Sequence, residues 1–274
     1  MLRAALAAGN VLAEPVRWDD PAVDWDGYDL VVIRSTWDYP PRRADFVAWT
    51  QRVPRLLNAA GIVAWNTDKG YLAELASAGI PVVPTVFLTP GGSVDLPTAG
   101  KYVVKPAVGA GGKDTARYAA GGDVAAAELH VAGLHRTGRT AMIQPYLSGV
   151  DTHGETGLVF LGGTYSHSIR KEPLLAAGAA EVEGLYREET VSARAPDPAE
   201  LALAEQALQV VPGGPAQLLY ARVDLLPGPA GTPVLIELEL TEPSLFLCCA
   251  PGAAERFAAA IAAAADGAAR AMAP

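Results

Sequence analysis

The spacing of apolar and polar positions divides the chain at about residue 80. Before it, apolar runs with strand character alternate with stretches of helical period. Residues 11–17 and 28–33 (YDLVVI) read as strands. Residues 40–61, PPRRADFVAWTQRVPRLLNAAG, read as a helix that breaks or kinks at Pro54. IVAW (62–65) reads as a short strand. NTDKGYLAELASAG (66–79) reads as a helix capped by Asn66 and stopped at Gly79, and PVVPTVFL (81–88) as extended chain. Strands alternating with helices predict a parallel sheet. The chain begins at a helix where such a lobe ordinarily begins on a strand, so a first strand is expected to be missing. After residue 80 hairpins dominate, with helices around 123–138, 197–211 and 253–272. A Pro- and Gly-rich loop is expected over 173–198.

Two hairpins place charges. In GLVFLGGTYSHSIRK the pair Gly162-Gly163 predicts a two-residue turn. Leu161 then faces Thr164, and Glu155 lies opposite Arg170. Leu158, Phe160, Tyr165, His167 and Ile169 share one face; Glu155, Gly157, Ser166, Ser168 and Arg170 share the other. The Glu155–Arg170 pair reads either as a surface ion pair or as part of a site, and His167 reads as a packed histidine. In ARVDLLPGPAGTPVLIELELTEPSLF, alternation buries Val223, Leu225, Ile236, Leu238 and Leu240. It leaves Arg222, Asp224, Glu237 and Glu239 together on the opposite face. Carboxylates crowded on one strand face repel one another, and Arg222 covers one charge at best. The face is either a solvated acidic edge or a seat for a hard dication, for which Mg2+ with substrate phosphates is suited.

Composition narrows the class. The net charge of −9 opposes nucleic acid and anionic membranes as partners. No apolar run reaches membrane-spanning length, and MLRAALAAGN lacks the form of a secretory signal. The only cysteines, Cys248 and Cys249, are adjacent, which fits neither a disulfide framework nor a zinc site. A cytoplasmic protein is expected. Of 21 basic residues only five are lysines, at 69, 101, 105, 113 and 171. Lysine is a compact charge suited to phosphate.

KYVVKPAVGAGGKD (101–114) ends an apolar strand on Lys105 and continues into a glycine-rich stretch. It is not a Walker loop, because Ala107 and Asp114 replace the required glycine and hydroxyl. It is not a dinucleotide fingerprint, because Asp114 replaces the third glycine. Taken alone it is a mobile surface turn.

Taken in order, Lys69 in NTDKGYL, Lys105 in VVKP, the glycines of 109–112, QPYL (144–147), RVD (222–224) and ELELTEPS (237–244) resemble the ATP-grasp superfamily of carboxylate–amine ligases. Residues 18–25, DKGYL, QPYLSGVDTHGET, YSHSIRK and ELELTEPSL are most similar to the O-ureido-serine cyclo-ligases of cycloserine biosynthesis. The resemblance implies an α/β ATP-grasp fold. It would comprise an N-terminal lobe (1–80), a central lid lobe (81–147) and a C-terminal lobe carrying the metal site (148–274).

The resemblance also implies roles. Lys69, Lys105, Gly111, Gly112, Lys113 and Gln144 would hold ATP, with adenine on the backbone of Pro145, Tyr146 and Leu147, and ribose on Asp151. Lys69 is expected in the first turn of a helix, where a bound anion would relieve its conflict with the helix dipole. Asp224, Glu237 and Glu239 would bind Mg2+, with Mn2+ as a substitute. Arg222 would spread the charge of the transferring phosphoryl group, and Arg170 and Lys171 that of the acyl phosphate and oxyanion. Arg34, Ser35, Thr36, His153, Glu155 and Ser244 would contact an amino-acid-like substrate. The implied reaction activates a carboxylate as an acyl phosphate and forms a C–N bond, with ADP and phosphate released. Ring closure of O-ureido-serine, a two-substrate ligation of the glutathione-synthetase type, phosphoryl transfer alone, and nucleotide binding without catalysis are the alternatives. An Ala-rich C-terminal helix would support a homo-oligomer.

Overall fold

The structure, a computed structural model, describes residues 1–173 and 190–272. The chain opens with α1 (Leu2–Ala8), β1 (Val31–Val32), α2 (Arg43–Thr50), β2 (Leu56–Leu57), α3 (Ala60–Asn66) and α4 (Tyr71–Ser77). Among the described strands only β1 and β2 pair in parallel, Val31 with Leu56 and Val32 with Leu57, and an isolated parallel bridge joins Val82 to Leu235. The expected strand over 11–17 does not form. Leu12 is fully exposed and Pro15 removes a donor, so the segment crosses the surface as coil. The helix expected over 40–61 ends at Thr50. Pro54 disfavours helix at the residue before it, and the chain leaves as β2. IVAW is helix, not strand: Ile62, Val63 and Asn66 form one buried face of α3. Asn66 is therefore no cap. Its amide donates to the Leu238 carbonyl at 2.6 Å and accepts from Leu240 N–H at 2.8 Å.

The central lobe is an antiparallel sheet in the order β3 (Val86–Leu88), β6 (Ala141–Pro145), β4 (Lys101–Pro106), β5 (Ala116–Ala119), with α5 (Val124–Arg136) against it. On β4, Tyr102 and Val104 are buried with Ala127, Val131 and Leu134 of α5. Alternation therefore sends Val103 and Lys105 to the opposite face.

The C-terminal part contains α6 (Gly149–His153), β7 (Glu155–Leu161), β8 (Thr164–Lys171), β9 (Val191–Arg194), α7 (Pro198–Val210), β10 (Tyr220–Pro227), β11 (Pro233–Glu239) and α8 (Ala253–Met272). Five strands form one antiparallel sheet in the order β11-β10-β7-β8-β9. One face packs Leu158, Phe160, Val223 and Leu238 against Leu203, Ala204 and Leu208 of α7. Leu6 of α1 joins Phe257 and Ile261 of α8 in a second core. Of the loop expected over 173–198, residues 174–189 lie outside the described residues; 191–194 are strand because they pair with β8. Among the described residues no helix is long and apolar enough to cross a membrane.

Candidate active site

In the RVD/ELEL hairpin Arg222 pairs with Glu239 and Asp224 with Glu237, as the shared face requires, but a bulge at Ile236 puts Leu235, not the expected Ile236, in the core and leaves Ile236 lining the cavity. The β7–β8 hairpin departs from expectation by one residue. Leu161 faces Thr164 and Phe160 faces Tyr165, but Val159 faces His167. Ser166 is thus a bulge, gripped by Arg256 of α8, whose Nε donates to Ser166 Oγ at 3.1 Å. A bulge reverses which side chains point to which face of the strand that follows. Glu155 consequently faces Lys171, not Arg170. Arg170 turns away and donates to the Thr152 carbonyl at 3.1 Å. The assignment of Arg170 to the reacting centre is corrected on this geometry. Arg170→Ala is expected to leave ADP formation within ~2-fold of the unmodified protein, as for a surface substitution. A steady-state coupled assay checks it.

The face so assembled carries Glu237 and Glu239 of β11, Arg222 and Asp224 of β10, Glu155 of β7 and Lys171 of β8. Asp224 is 1% exposed and lies beneath the other groups. Its carboxylate accepts from Arg222 Nε and Nη2 at 2.8 Å each and from Lys171 Nζ at 2.8 Å. These cations hold its pKa well below the carboxylate range against the opposing effect of burial. Lys171 also pairs with Glu155, and Arg222 with Glu239.

A cavity opens between this face and β4. Lys69, Lys105, Gly111, Gly112, Lys113, Gln144, Pro145, Tyr146 and Leu147 line it. Glu155, Lys171, Arg222, Glu237, Glu239 and Ser244 complete the predicted set found there. Lys69 is not in a helical turn; it stands one residue before Gly70, the N-cap of α4. Its Nζ meets Glu237 at 3.1 Å and the Gly109 carbonyl at 2.9 Å, so it spans strand and glycine stretch. Gly111 and Gly112 have φ of +63° and +70°, which side chains rarely adopt. Lys105 forms no ion pair among the described residues, and burial lowers its pKa.

Several predicted residues are not part of the cavity wall. Arg34 lies against the Tyr220 and Phe257 rings and donates to the Pro243 carbonyl at 2.9 Å. Ser35 is exposed at φ +54°, and the Thr36 hydroxyl is buried without a partner. His153, at the exposed end of α6, hydrogen-bonds the Gly149 carbonyl. Asp151 accepts from the Tyr146 hydroxyl at the cavity's edge. The strand end before Arg34 aims Arg34, Ser35 and Thr36 into the core or solvent instead. Sequence reasoning missed Trp37, Tyr39 and Glu242 as lining residues. Glu242 lay within the quoted ELELTEPS motif, three positions past Glu239, and was passed over.

Among the described residues no three Asp, Glu, His or Cys converge as a metal-holding set. Asp224 does not fit as a free ligand, because both its oxygens are occupied by cations. Glu237 and Glu239, 28% and 26% exposed on the cavity wall, do fit a hard cation. Burial first, opposed by Arg222 and reinforced by Asp224 and Glu237, pushes the Glu239 carboxyl up to about 7. Burial likewise raises Glu155 and Glu242 to about 8. These three carboxyls hold their protons more tightly folded than unfolded. The stability they contribute is present in mild acid and is lost as pH rises through about 7 to 8. The ligand-free thermal midpoint is expected to fall by ~5 °C or more from mildly acid to mildly alkaline pH. Scanning calorimetry reads this, and a flat profile would contradict it.

Comparison with known proteins gives the lineage. Residues 1–58 match the family model described as D-cycloserine synthetase DcsG, N-terminal domain. The chain is 39% identical to the cycloserine biosynthesis protein DcsG of Streptomyces lavendulae, over 96% of this chain and 91% of that protein. The crystal structure of D-cycloserine synthetase DcsG superposes with a TM-score of 0.86 at 37% identity, covering 96% of this chain and 93% of that one. The RimK domain protein ATP-grasp from Sphaerobacter thermophilus DSM 20745 shares the fold, with a TM-score of 0.63 at 19% identity over 94% and 92% of the two chains. The chain belongs to the DcsG family of ATP-grasp enzymes and is an ATP-dependent carbon–nitrogen ligase.

Proposed function

We propose that the protein activates the carboxylate of O-ureido-serine with ATP as an acyl phosphate and closes a ring by nitrogen attack. The observation that carries this reading is the charge layout of one cavity. Cations for phosphate, Lys69 and Lys105, stand opposite a carboxylate face that also presents Lys171 and Arg222. Adenine lies at Pro145–Leu147, with Gln144 beside it and Asp151 at its ribose edge. Lys105, Lys113 and the backbone N–H groups of Gly111 and Gly112 meet the phosphates. Glu237 and Glu239 hold Mg2+, or Mn2+ in its place; Asp224 joins them only when Lys171 or Arg222 yields one of its oxygens. Bound there, the ion would supply positive charge against the transferring phosphoryl group.

The substrate carboxylate attacks the γ-phosphorus, and ADP leaves. Arg222 and Lys171 carry the charge that develops on the acyl phosphate and then on the tetrahedral oxyanion. Nitrogen attack expels phosphate and forms the C–N bond. The 109–114 stretch, tied to Lys69 at Gly109, closes the cavity against water. The three lobes 1–80, 81–147 and 148–274 each supply one wall.

ADP release from ATP, Mg2+ and O-ureido-serine, with and without hydroxylamine, tests the reading. A hydroxamate in the trapped reaction and a cyclic product in the untrapped one are expected. A stable phosphorylated product would make the protein a kinase. ADP release with another amino acid and none with O-ureido-serine would replace the substrate and keep the chemistry.

A further inference from the structure

Six carboxylates surround the cavity, and five already have a cation. Lys171 serves Glu155 and Asp224, Lys69 serves Glu237, Arg222 serves Glu239 and Asp224, and Arg170 serves Glu172. The sixth is Glu242. Among the described residues no lysine, arginine or histidine stands within ion-pair distance of it.

Its setting is nevertheless built with care for position. The Tyr39 side chain lies near enough to its carboxyl group to lower its pKa, against the larger effect of burial. Trp37 Nε1 donates to the Glu242 backbone carbonyl at 3.1 Å. The next two carbonyls are held by cations, Pro243 by Arg34 at 2.9 Å and Ser244 by Arg222 at 2.8 Å. Tyr39 is itself 3% exposed and stacked on Phe46. Glu242 is thus a half-buried carboxyl group on a fixed backbone, with two aromatic side chains that share its cavity. A carboxylate beside aromatic rings is the ordinary chemistry for holding an ammonium ion.

We propose that Glu242, flanked by Trp37 and Tyr39, is the subsite that binds the ammonium group of the amino-acid substrate. The inference rests on the proposed reaction only in taking the substrate to be an amino acid. The position suits it. Glu242 and Ser244 follow Glu237 and Glu239 along a single wall, beyond the carboxylates assigned to metal. A nucleotide phosphate would be repelled there; a substrate whose carboxylate reaches the γ-phosphorus would direct its amino group to it. The groups facing Glu242 are Tyr39, Glu237, Glu239 and Lys69, the last already committed to Glu237 and the Gly109 carbonyl. Burial, reinforced by Glu239, leaves the empty site holding a proton up to about pH 8. An arriving ammonium group favours the carboxylate, so binding near neutral pH expels that proton.

Calorimetry on the full chain with a non-hydrolysable ATP analogue and Mg2+ tests this, in buffers of different ionisation enthalpy. The probes are O-ureido-serine and its des-amino analogue 3-(ureidooxy)propanoate, with serine and 3-hydroxypropanoate as a second pair. The unmodified protein should prefer the amino member by ~10-fold or more and release protons on binding it. Glu242→Gln should erase both the preference and the proton release while still binding the nucleotide. A preference that survives in Glu242→Gln, or no preference in either pair, overturns the subsite. A change confined to the Mg2+ requirement would also overturn it, by making Glu242 a metal ligand. A serine preference that Glu242→Gln removes supports the subsite even where O-ureido-serine itself fails to bind, so failure of the substrate reading is told apart.

Discussion

Lys105→Met should weaken binding of a non-hydrolysable ATP analogue by roughly 10- to 100-fold, the worth of a charge-assisted hydrogen bond. The ligand-free fold should lose no stability. Both halves follow from the same geometry. Lys69 and Lys171 reach carboxylates at ion-pair distance, whereas Lys105 reaches none among the described residues. Burial, with Lys69 and Lys171 adding like charge, makes its ammonium form unfavourable, and Glu237 offsets this only in part. A folded pKa below the unfolded one means that the charged lysine opposes folding at neutral pH. Its counterion must therefore come from a ligand, and a triphosphate supplies it. Methionine keeps the volume of the stem and removes the charge. Titration calorimetry and a thermal melt read the two effects separately. Unchanged affinity would remove Lys105 from the nucleotide site. Lost affinity with a much lower melting midpoint would mean that the lysine supports the fold instead.

How much of this could be read from the chain depends on the range over which each feature is decided. Alternation along single strands sufficed for the Arg222/Asp224/Glu237/Glu239 face, because a strand's period is local, and an apolar run sufficed to place Lys105 at a strand end. Turn chemistry sufficed for the position of the 162–163 turn. The errors arose where a distant element intervened. The bulge at Ser166 depends on Arg256, some 90 residues later in the chain, and no period within β8 signals it. Asn66 resembles a cap in sequence but is spent on the backbone of β11. Arg34 sits at a strand end, where ligands collect in open α/β sheets, yet here it braces the carbonyl of Pro243. The same long-range contacts that defeat local reading fix the cavity wall on which Glu242 stands.

The bulge has the largest testable consequence, because it decides which of two adjacent cations enters the site. Lys171→Met should reduce single-turnover ADP formation by ~100-fold or more, in the range found when an oxyanion donor is removed. It should also destabilise the fold by ~3 kcal/mol, since breaking a buried pair leaves charge uncompensated. Lys171 is 7% exposed at its side chain and serves two carboxylates at once. Without it, Glu155 and Asp224, the latter opposite Gly157 two residues along β7, are left with Arg222, which pairs with Asp224. Glu155, whose carboxyl is already raised to about 8, would take a proton more readily still. Asp224 would lose part of what holds its pKa down. Both changes are masked when the carboxyls are protonated, so the stability loss should be smallest in acid and deepen as pH rises. Adding Glu155→Gln to Lys171→Met removes one of the stranded charges. Urea denaturation should then show more than half of the lost stability restored, while ADP formation stays low. Restored activity in that double variant would make Lys171 a structural counterion and nothing more. Loss of stability without recovery would mean that Asp224, not Glu155, is the charge Lys171 chiefly balances. The neighbouring Arg170→Ala serves as the control, since it removes a cation of the same strand from the face that the bulge turned outward.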